Sequence, residues 1–357
     1  MKEKDANRNY GIDLLRLLAM FMIVILHSLG QGGILANVSK NSYQYVIAWI
    51  LEIWAYPAVD IFALISGYVN YNDKEKKLKY SNYLKIWFQV VFYCLVITIL
   101  FKIFMPNIIS INDYFKALLP VSNNIYWYFT AYTGLFIFMP LINNGLRNMD
   151  IKLVKKLLFF IIFVFSIFSG IGDIFKLYNG YSFVWIMLLY VLGAGIKKCN
   201  LGKNIKNHQI IIGLLLLCIF TFSYKYYSSS ISENIFISYI SPSVLLSAIL
   251  YLIGFSRLKL NKILLKIVEF AAPSAFAVYL LNTNNLVWEY IMRNIFLNLT
   301  NAYILKFLFI PIIFSLLFVI VSVLIDKVRL LLFKLFHVSS LIDRIIIMFS
   351  KLSDYIL

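Results

Sequence analysis

Apolar residues run along the chain in ten blocks, near 11–31, 45–69, 83–104, 125–145, 157–172, 182–196, 209–227, 236–255, 270–291 and 304–325. A helix needs about 20 apolar residues to cross a bilayer, and eight of the blocks reach or approach that length. Those at 157–172 and 182–196 are shorter. Polar, mostly basic stretches separate the blocks. Asn72 to Asn82 is a charge run that reads as a solvated loop, and Pro106 to Asn124 is a longer loop with an amphipathic piece at Ile111 to Leu119. From Asp326 to Leu357, Leu, Ile and Phe alternate with Lys and Arg, a pattern suited to a helix lying on a membrane surface. The pattern predicts an all-α polytopic membrane protein, a bundle of about ten transmembrane helices. A membrane domain would occupy 1–325 and an amphipathic tail 326–357.

Composition agrees, with 62% hydrophobic residues and a mean hydropathy of +0.83, which excludes an ordinary soluble domain. The net charge of +17 would suggest nucleic acid in a soluble protein, but its distribution argues otherwise. Of the 33 Lys and Arg residues, 24 fall in alternate loops together with the two ends, and the opposite loops hold five. Basic loops stay cytoplasmic, so both termini are expected inside and no nucleic-acid partner is implied. The basic N-terminus lacks a small-residue cleavage site, so the first block is read as a retained helix of a multi-pass cell-membrane protein. Three scattered cysteines and three histidines give no metal-ligand spacing, and no metal is expected.

Candidate chemistry starts in the first block, which carries Asp13, Arg16 and His27. Eleven steps of about 100° bring Arg16 and His27 within about 20° of one face, roughly 16 Å apart along the axis. Asp13 and Arg16, three residues apart, can pair. Charges in hydrocarbon cost roughly 2.5–3.5 kcal/mol each and usually face a cavity or a partner. One stripe thus carries an ion pair near one membrane surface and an imidazole deeper in. The second block holds Glu52, Pro57 and Asp60, with a kink expected at the proline. Ser66-Gly67 would let a helix or a ligand approach closely. Aromatics at 126–132 fit an interfacial belt, and stacking of Trp127 and Tyr128 on sugar faces is the functional alternative.

Taken together, Arg-x10-His (16–27), Asp-Ile-Phe-Ala-Leu-Ile-Ser-Gly-Tyr (60–68), Trp-Tyr (127–128) with Pro140-Leu-Ile-Asn143, and Trp185 to Lys198 resemble the integral-membrane acyltransferase family (type 3). The resemblance extends over most of residues 10–290. It implies O-acylation of sugars and cell-envelope polymers with acyl-CoA as co-substrate. The family's basic residues near the third helix, usually an Arg pair, are associated with acyl-CoA, and here Lys79 and Lys85 stand there. A lysine meets phosphate as a point charge without arginine's fork. Where the family often shows Tyr-Leu-x-His, this chain has Asn282, which hydrogen-bonds but cannot titrate.

The expected function is transfer of an acyl group, acetyl above all, from acyl-CoA to a hydroxyl of a cell-envelope sugar, polysaccharide precursor or lipid-linked glycan. His27, the histidine inside the spans, would be the base, oriented by Asp60 or Glu52. Arg16, held by Asp13, would contact the donor with Lys79 and Lys85. Trp127, Tyr128, Asn282 and Ser66 would face the acceptor. A secondary transporter or flippase for a lipid-linked glycan, or a degenerate assembly subunit, are the competing readings; intramembrane charges suit a carrier, yet no inverted repeat is visible.

Overall fold

The computed structural model describes residues 8–74, 80–228 and 235–356. Its first helix, α1 (Tyr10–Leu29), begins where the Asn9 side chain accepts the Ile12 N–H, satisfying one of the free donors of a helix start. The Asn9 amide also donates to the Ser256 carbonyl at 2.7 Å. The N-terminal end of α1 is therefore tied to the rest of the bundle. Gly11 lies directly against the Phe255 carbonyl, where a Cβ would collide.

The second block divides into α2 (Tyr43–Ala55) and α3 (Ala58–Asn70), which part at Tyr56-Pro57 as the proline predicts. Next come α4 (Tyr80–Phe104), the short α5 (Ile111–Leu118) and α6 (Trp127–Asn148). In α5, Ser110 and Asp113 form a capping box, and the Ser110 backbone and hydroxyl hold the Asp113 carboxyl below its ordinary range. Ile111, Phe115 and Leu118 are exposed on its apolar face, as suits a helix in the membrane interface.

The fifth block is α7 (Ile151–Ile162), a π-helical stretch at Phe163–Phe168 and the single turn α8 (Ser169–Gly172). Then follow α9 (Phe183–Lys198), α10 (Asn207–Tyr227) and α11 (Pro242–Ser256), the last with Pro242 at its first position, where a missing N–H costs nothing. The ninth block is fragmented into α12 (Lys262–Ala271), a tight turn through Pro273, α13 (Ala275–Thr283) and α14 (Asn285–Val287), which passes into a π-helical turn at Trp288–Met292.

All ten blocks are thus helical. Among the described residues, six helical stretches are long and apolar enough to cross a membrane, and Pro242–Ser256 is a shorter apolar helix. α1 is the hub, packed by α2, α3, α11, α13 and α15 (Ile304–Leu335). The closest pair is α3 with α9, because Gly67 faces the Tyr190 carbonyl and Gly193 faces the Leu64 carbonyl with no room for a Cβ. Gly67 therefore serves helix packing.

α15 runs unbroken through the boundary expected at 325, and Asp326 and Arg329 are buried rather than displayed on a surface. Arg329 grips Asp326 through two N–H···O bonds of 2.8 and 2.9 Å, while Gln89 and Tyr93 of α4 donate to the same carboxylate at 3.1 and 2.9 Å. α16 (Val338–Ile356) follows a turn at His337 and packs on α4.

Candidate active site

The stripe on α1 continues as Arg16, Met20, Ile23 and His27, spaced 4, 3 and 4 residues apart, so that all four share one face. Its upper part, from Met20 to His27, forms one wall of a cavity of about 290 Å³. Val59 and Phe62, just beyond the Pro57 break, form a second wall. Rings close the rest: Tyr126, Trp127 and Tyr128 at the start of α6, Tyr181 and Tyr239 from loops, Phe276 and Tyr279 of α13, and Trp288. The residues of this lining that carry polar groups are His27, Asn124, Thr283, Asn285, the tyrosines and the two tryptophans. A concave, mostly apolar pocket with few polar groups is the usual form of a small-molecule site.

His27 occupies the last turn of α1. Its Nδ1 is hydrogen-bonded to Oδ1 of Asn282, a side chain buried on α13. A carbonyl oxygen only accepts, so Nδ1 carries the proton and Nε2 keeps the lone pair of the neutral ring. The Trp288 indole and the imidazole meet edge to face, at 4.7 Å between centroids and 86° between planes. Trp288 is held in place from the turn that follows α1: the Gln31 amide donates to its carbonyl at 3.1 Å, and the Gln31 and Gly32 carbonyls accept from the backbone N–H groups of Asn294 and Phe296 at 2.8 and 2.9 Å. Gly33, at φ +88°, adopts the left-handed backbone that lets this loop lie against Asn294.

His27 is bonded by Asn282, and not by Asp60 or Glu52, the residues expected to orient it. Asp60 is buried and accepts from the Trp185 indole N–H at 3.1 Å, and Glu52 is buried on α2. Among the described residues, Asp60 Oδ2 and Glu52 Oε2 have no hydrogen-bond partner, and neither carboxyl bonds His27.

At the other end of the stripe, Asp13 bridges two guanidinium groups, Arg16 at 2.7 Å and Arg8 at 2.6 Å. The Asp13–Arg16 pair is the one expected from the spacing; Arg8, five residues upstream, carried no helical-face signal. Arg16 spends one N–H on Asp13, and its side chain is 26% exposed. Lys85 is exposed on the second turn of α4, and Lys79 lies outside the described residues.

Among the acceptor candidates, the Trp127 ring lies against Tyr181 at 4.7 Å and parallel to Tyr239 at 6.4 Å, on the cavity wall. Tyr128 is only 6% exposed and meets Phe62, Trp127 and Tyr279 at steep angles, so little of its ring is offered for stacking. The Ser66 hydroxyl is turned into its own helix, donating to the Phe62 carbonyl at 3.1 Å, and Ser66 is absent from the cavity wall. Tyr181, Tyr239 and Trp288 escaped the sequence, being single aromatics in a chain with 17% aromatic residues. Among the described residues no three His, Cys, Asp or Glu side chains gather as a metal-ligand set.

These features define a helical membrane protein whose half-buried histidine lines an aromatic pocket at one end of a charged stripe. The family model of the acyltransferase domain of the type 3 acyltransferases matches residues 9–327, which takes in every helix from α1 through most of α15. The chain belongs to that family and is a membrane acyltransferase. No curated protein and no solved structure matches it.

Proposed function

We propose that the protein transfers an acyl group, acetyl above all, from acyl-CoA to a hydroxyl of a cell-envelope sugar, with His27 as general base. The observation that carries this reading is the His27–Asn282 hydrogen bond, which commits Nδ1 and leaves Nε2 as the basic nitrogen of a histidine that lines a ring-walled cavity. The aromatic lining suits the apolar faces of a sugar, and its neutral polar groups suit hydroxyls.

The chemistry follows from the ring's single free nitrogen. The acceptor oxygen attacks the thioester carbonyl carbon, forming a C–O bond, while its proton passes to Nε2. The carbonyl π pair moves onto oxygen to give a tetrahedral oxyanion. When the C=O re-forms, the C–S bond breaks and the thiolate takes the proton back from the imidazolium, leaving an ester and free CoA. Asn282 cannot accept a proton, so the proton stays on His27 between the two steps. Arg16, on the same face about 16 Å toward the N-terminal end, fits the anionic donor entering from the inner side of a cell membrane. Both termini would then face the cytoplasm.

The test is thiol release from acetyl-CoA by the purified protein in detergent, with and without envelope glycans or glycan lipids from the producing cell. Release that rises with glycan, and acetyl esters on the glycan by mass spectrometry, support the reading. Glycan flux across liposomes in the absence of any CoA, with no ester formed, contradicts it.

A further inference from the structure

A second recess, of about 280 Å³, lies where α3, α9 and α11 finish, at the end of the bundle where α1 begins. Three cations line it, Lys197, Lys203 and Arg257, together with Tyr68, Asn200 and Ser256. No Asp or Glu is among the described residues of that lining. Its level along α1 is fixed by Asn9, the residue that caps the helix, whose amide donates to the Ser256 carbonyl at 2.7 Å. Along the α1 axis the order is therefore the recess, Arg16 about two turns further in, and His27 about three turns beyond that.

Two of the three cations are held by main-chain carbonyls. Lys197 donates to the Tyr71 carbonyl at 2.8 Å, with its ammonium 5.6 Å from the centre of the Tyr68 ring. Arg257 donates through Nε to the Ile253 carbonyl at 3.2 Å, and through Nη1 to the Ile205 and Lys203 carbonyls at 2.8 and 3.4 Å. Neutral carbonyls fix a cation in place without cancelling its charge. Nη2 of Arg257 has no bond among the described residues. Gly202, at φ +78°, folds the turn after α9 onto Ile253 of α11 and so brings Lys203 to the recess. A cation in the last turn of a helix is favoured by the macrodipole, which accounts for Lys197 and Arg257. It does not account for Lys203, which is exposed in the turn and whose ammonium has no partner among the described residues. Cations gathered on one recess repel one another, and an anion seated among them relieves that.

We infer that this recess binds the phosphate end of the acyl-CoA donor, through Lys203, Arg257 and Lys197. This rests on the acyl-transfer reading above. Acyl-CoA is a long molecule with its phosphates at the nucleotide end and its thioester at the other. The recess, Arg16 and His27, set out in that order along α1, match it from end to end. Charge-assisted bonds to phosphate are the strong ones, and Nη2 of Arg257 and the Lys203 ammonium are donors still to be used. Holding the donor by its far end leaves the thioester arm to reach the base.

The experiment is titration calorimetry on the full chain in detergent, with CoA and with pantetheine, which keeps the thiol arm and lacks every phosphate. Wild type should bind CoA more tightly than pantetheine. Lys203→Glu reverses one exposed charge and breaks no bond of the fold, so its melting should match wild type. It should narrow the preference for CoA roughly 10-fold, the effect of a reversed unit charge beside a phosphate. Arg257→Gln should act in the same direction, with a lower melting temperature because Arg257 also ties down the 203–205 turn. A Lys203→Glu protein that keeps the full preference would overturn the inference. So would a recess that takes the phosphate of a lipid headgroup instead: phosphatidylglycerol would then raise the melting temperature of wild type and not of Lys203→Glu, while both bind CoA alike. Wild-type protein that binds no CoA at all would overturn the acyl-transfer reading itself.

Discussion

Nδ1 of His27 on α1 is hydrogen-bonded to Oδ1 of Asn282 on α13, a side chain 255 positions further along the chain. The contact fixes the imidazole tautomer and its orientation in one step. Asn282→Ala would leave the half-buried His27 Nδ1–H without this partner, at a cost of up to about 1–3 kcal/mol. Expressed in the transition state, that cost is roughly a 5- to 150-fold fall in kcat. Asn282→Ala should therefore be slower than wild type but faster than His27→Ala, with acetyl-CoA binding retained. Equal kcat for Asn282→Ala and wild type would remove Asn282 from the account.

Asp13 is shared by Arg8 and Arg16, so the two arginines are not equivalent in what their loss does. In Arg16→Ala, Asp13 keeps Arg8 as its partner and no carboxylate is left unpaired. The fold should survive, and the Kd for acyl-CoA should rise as one cation facing the donor is lost. Arg16→Lys should rescue partly if the contact uses the guanidinium fork. Titration calorimetry with a non-hydrolysable acyl-CoA, paired with melting curves, separates the outcomes. Unchanged binding would reduce Arg16 to a helix anchor.

Gly67 and Gly193 let α3 and α9 touch backbone to backbone. A methyl group at either site meets a main-chain carbonyl, which cannot step aside as a side chain can. Gly67→Ala and Gly193→Ala should each destabilise the protein by about 1–3 kcal/mol or more, the range for overpacking. The reading is a lowered melting temperature and poorer recovery from membranes, against Gly145→Ala, whose Cβ meets nothing.

The buried Asp326–Arg329 pair gives a sign test. Asp326→Ala strands a guanidinium that is 6% exposed, and breaking such a pair costs about 3–5 kcal/mol. The double variant Asp326→Leu with Arg329→Met removes both charges and should recover most of that loss. A single variant as stable as the double one would mean that solvent reaches Arg329.

Much of the fold was legible because it is local. Apolar block length gives the helices, Pro57 gives the α2–α3 break, and the 3.6-residue period puts Arg16 and His27 on one face. The period reports which residues share a face but not which distant face they meet. Asn282 could be named as a departure from the family's histidine, yet its contact with His27 required the fold. For the same reason the sequence alone offers Asp60 to His27, while its partner is Trp185, 125 positions away. Asp326 and Arg329 read as surface charges because an i, i+3 pair in a basic amphipathic stretch looks alike whether lipid headgroups or α4 cover it. Trp288, Tyr181 and Tyr239 reach the cavity from a π-turn and two loops, where no periodicity marks a face.

The central claim is that His27 Nε2 takes the acceptor's proton, and the direct measurement is acetyl transfer by wild type, His27→Ala and His27→Asn, each purified and melted in parallel. A general base is worth roughly 100- to 10,000-fold, and both variants should lose that much kcat while still binding acetyl-CoA, because the Arg16 end of the stripe is untouched. Asparagine keeps a hydrogen bond but accepts no proton at neutral pH, so His27→Asn should be as slow as His27→Ala. An active His27→Asn protein, with only the alanine variant impaired and less stable, would contradict the claim and make His27 a structural contact.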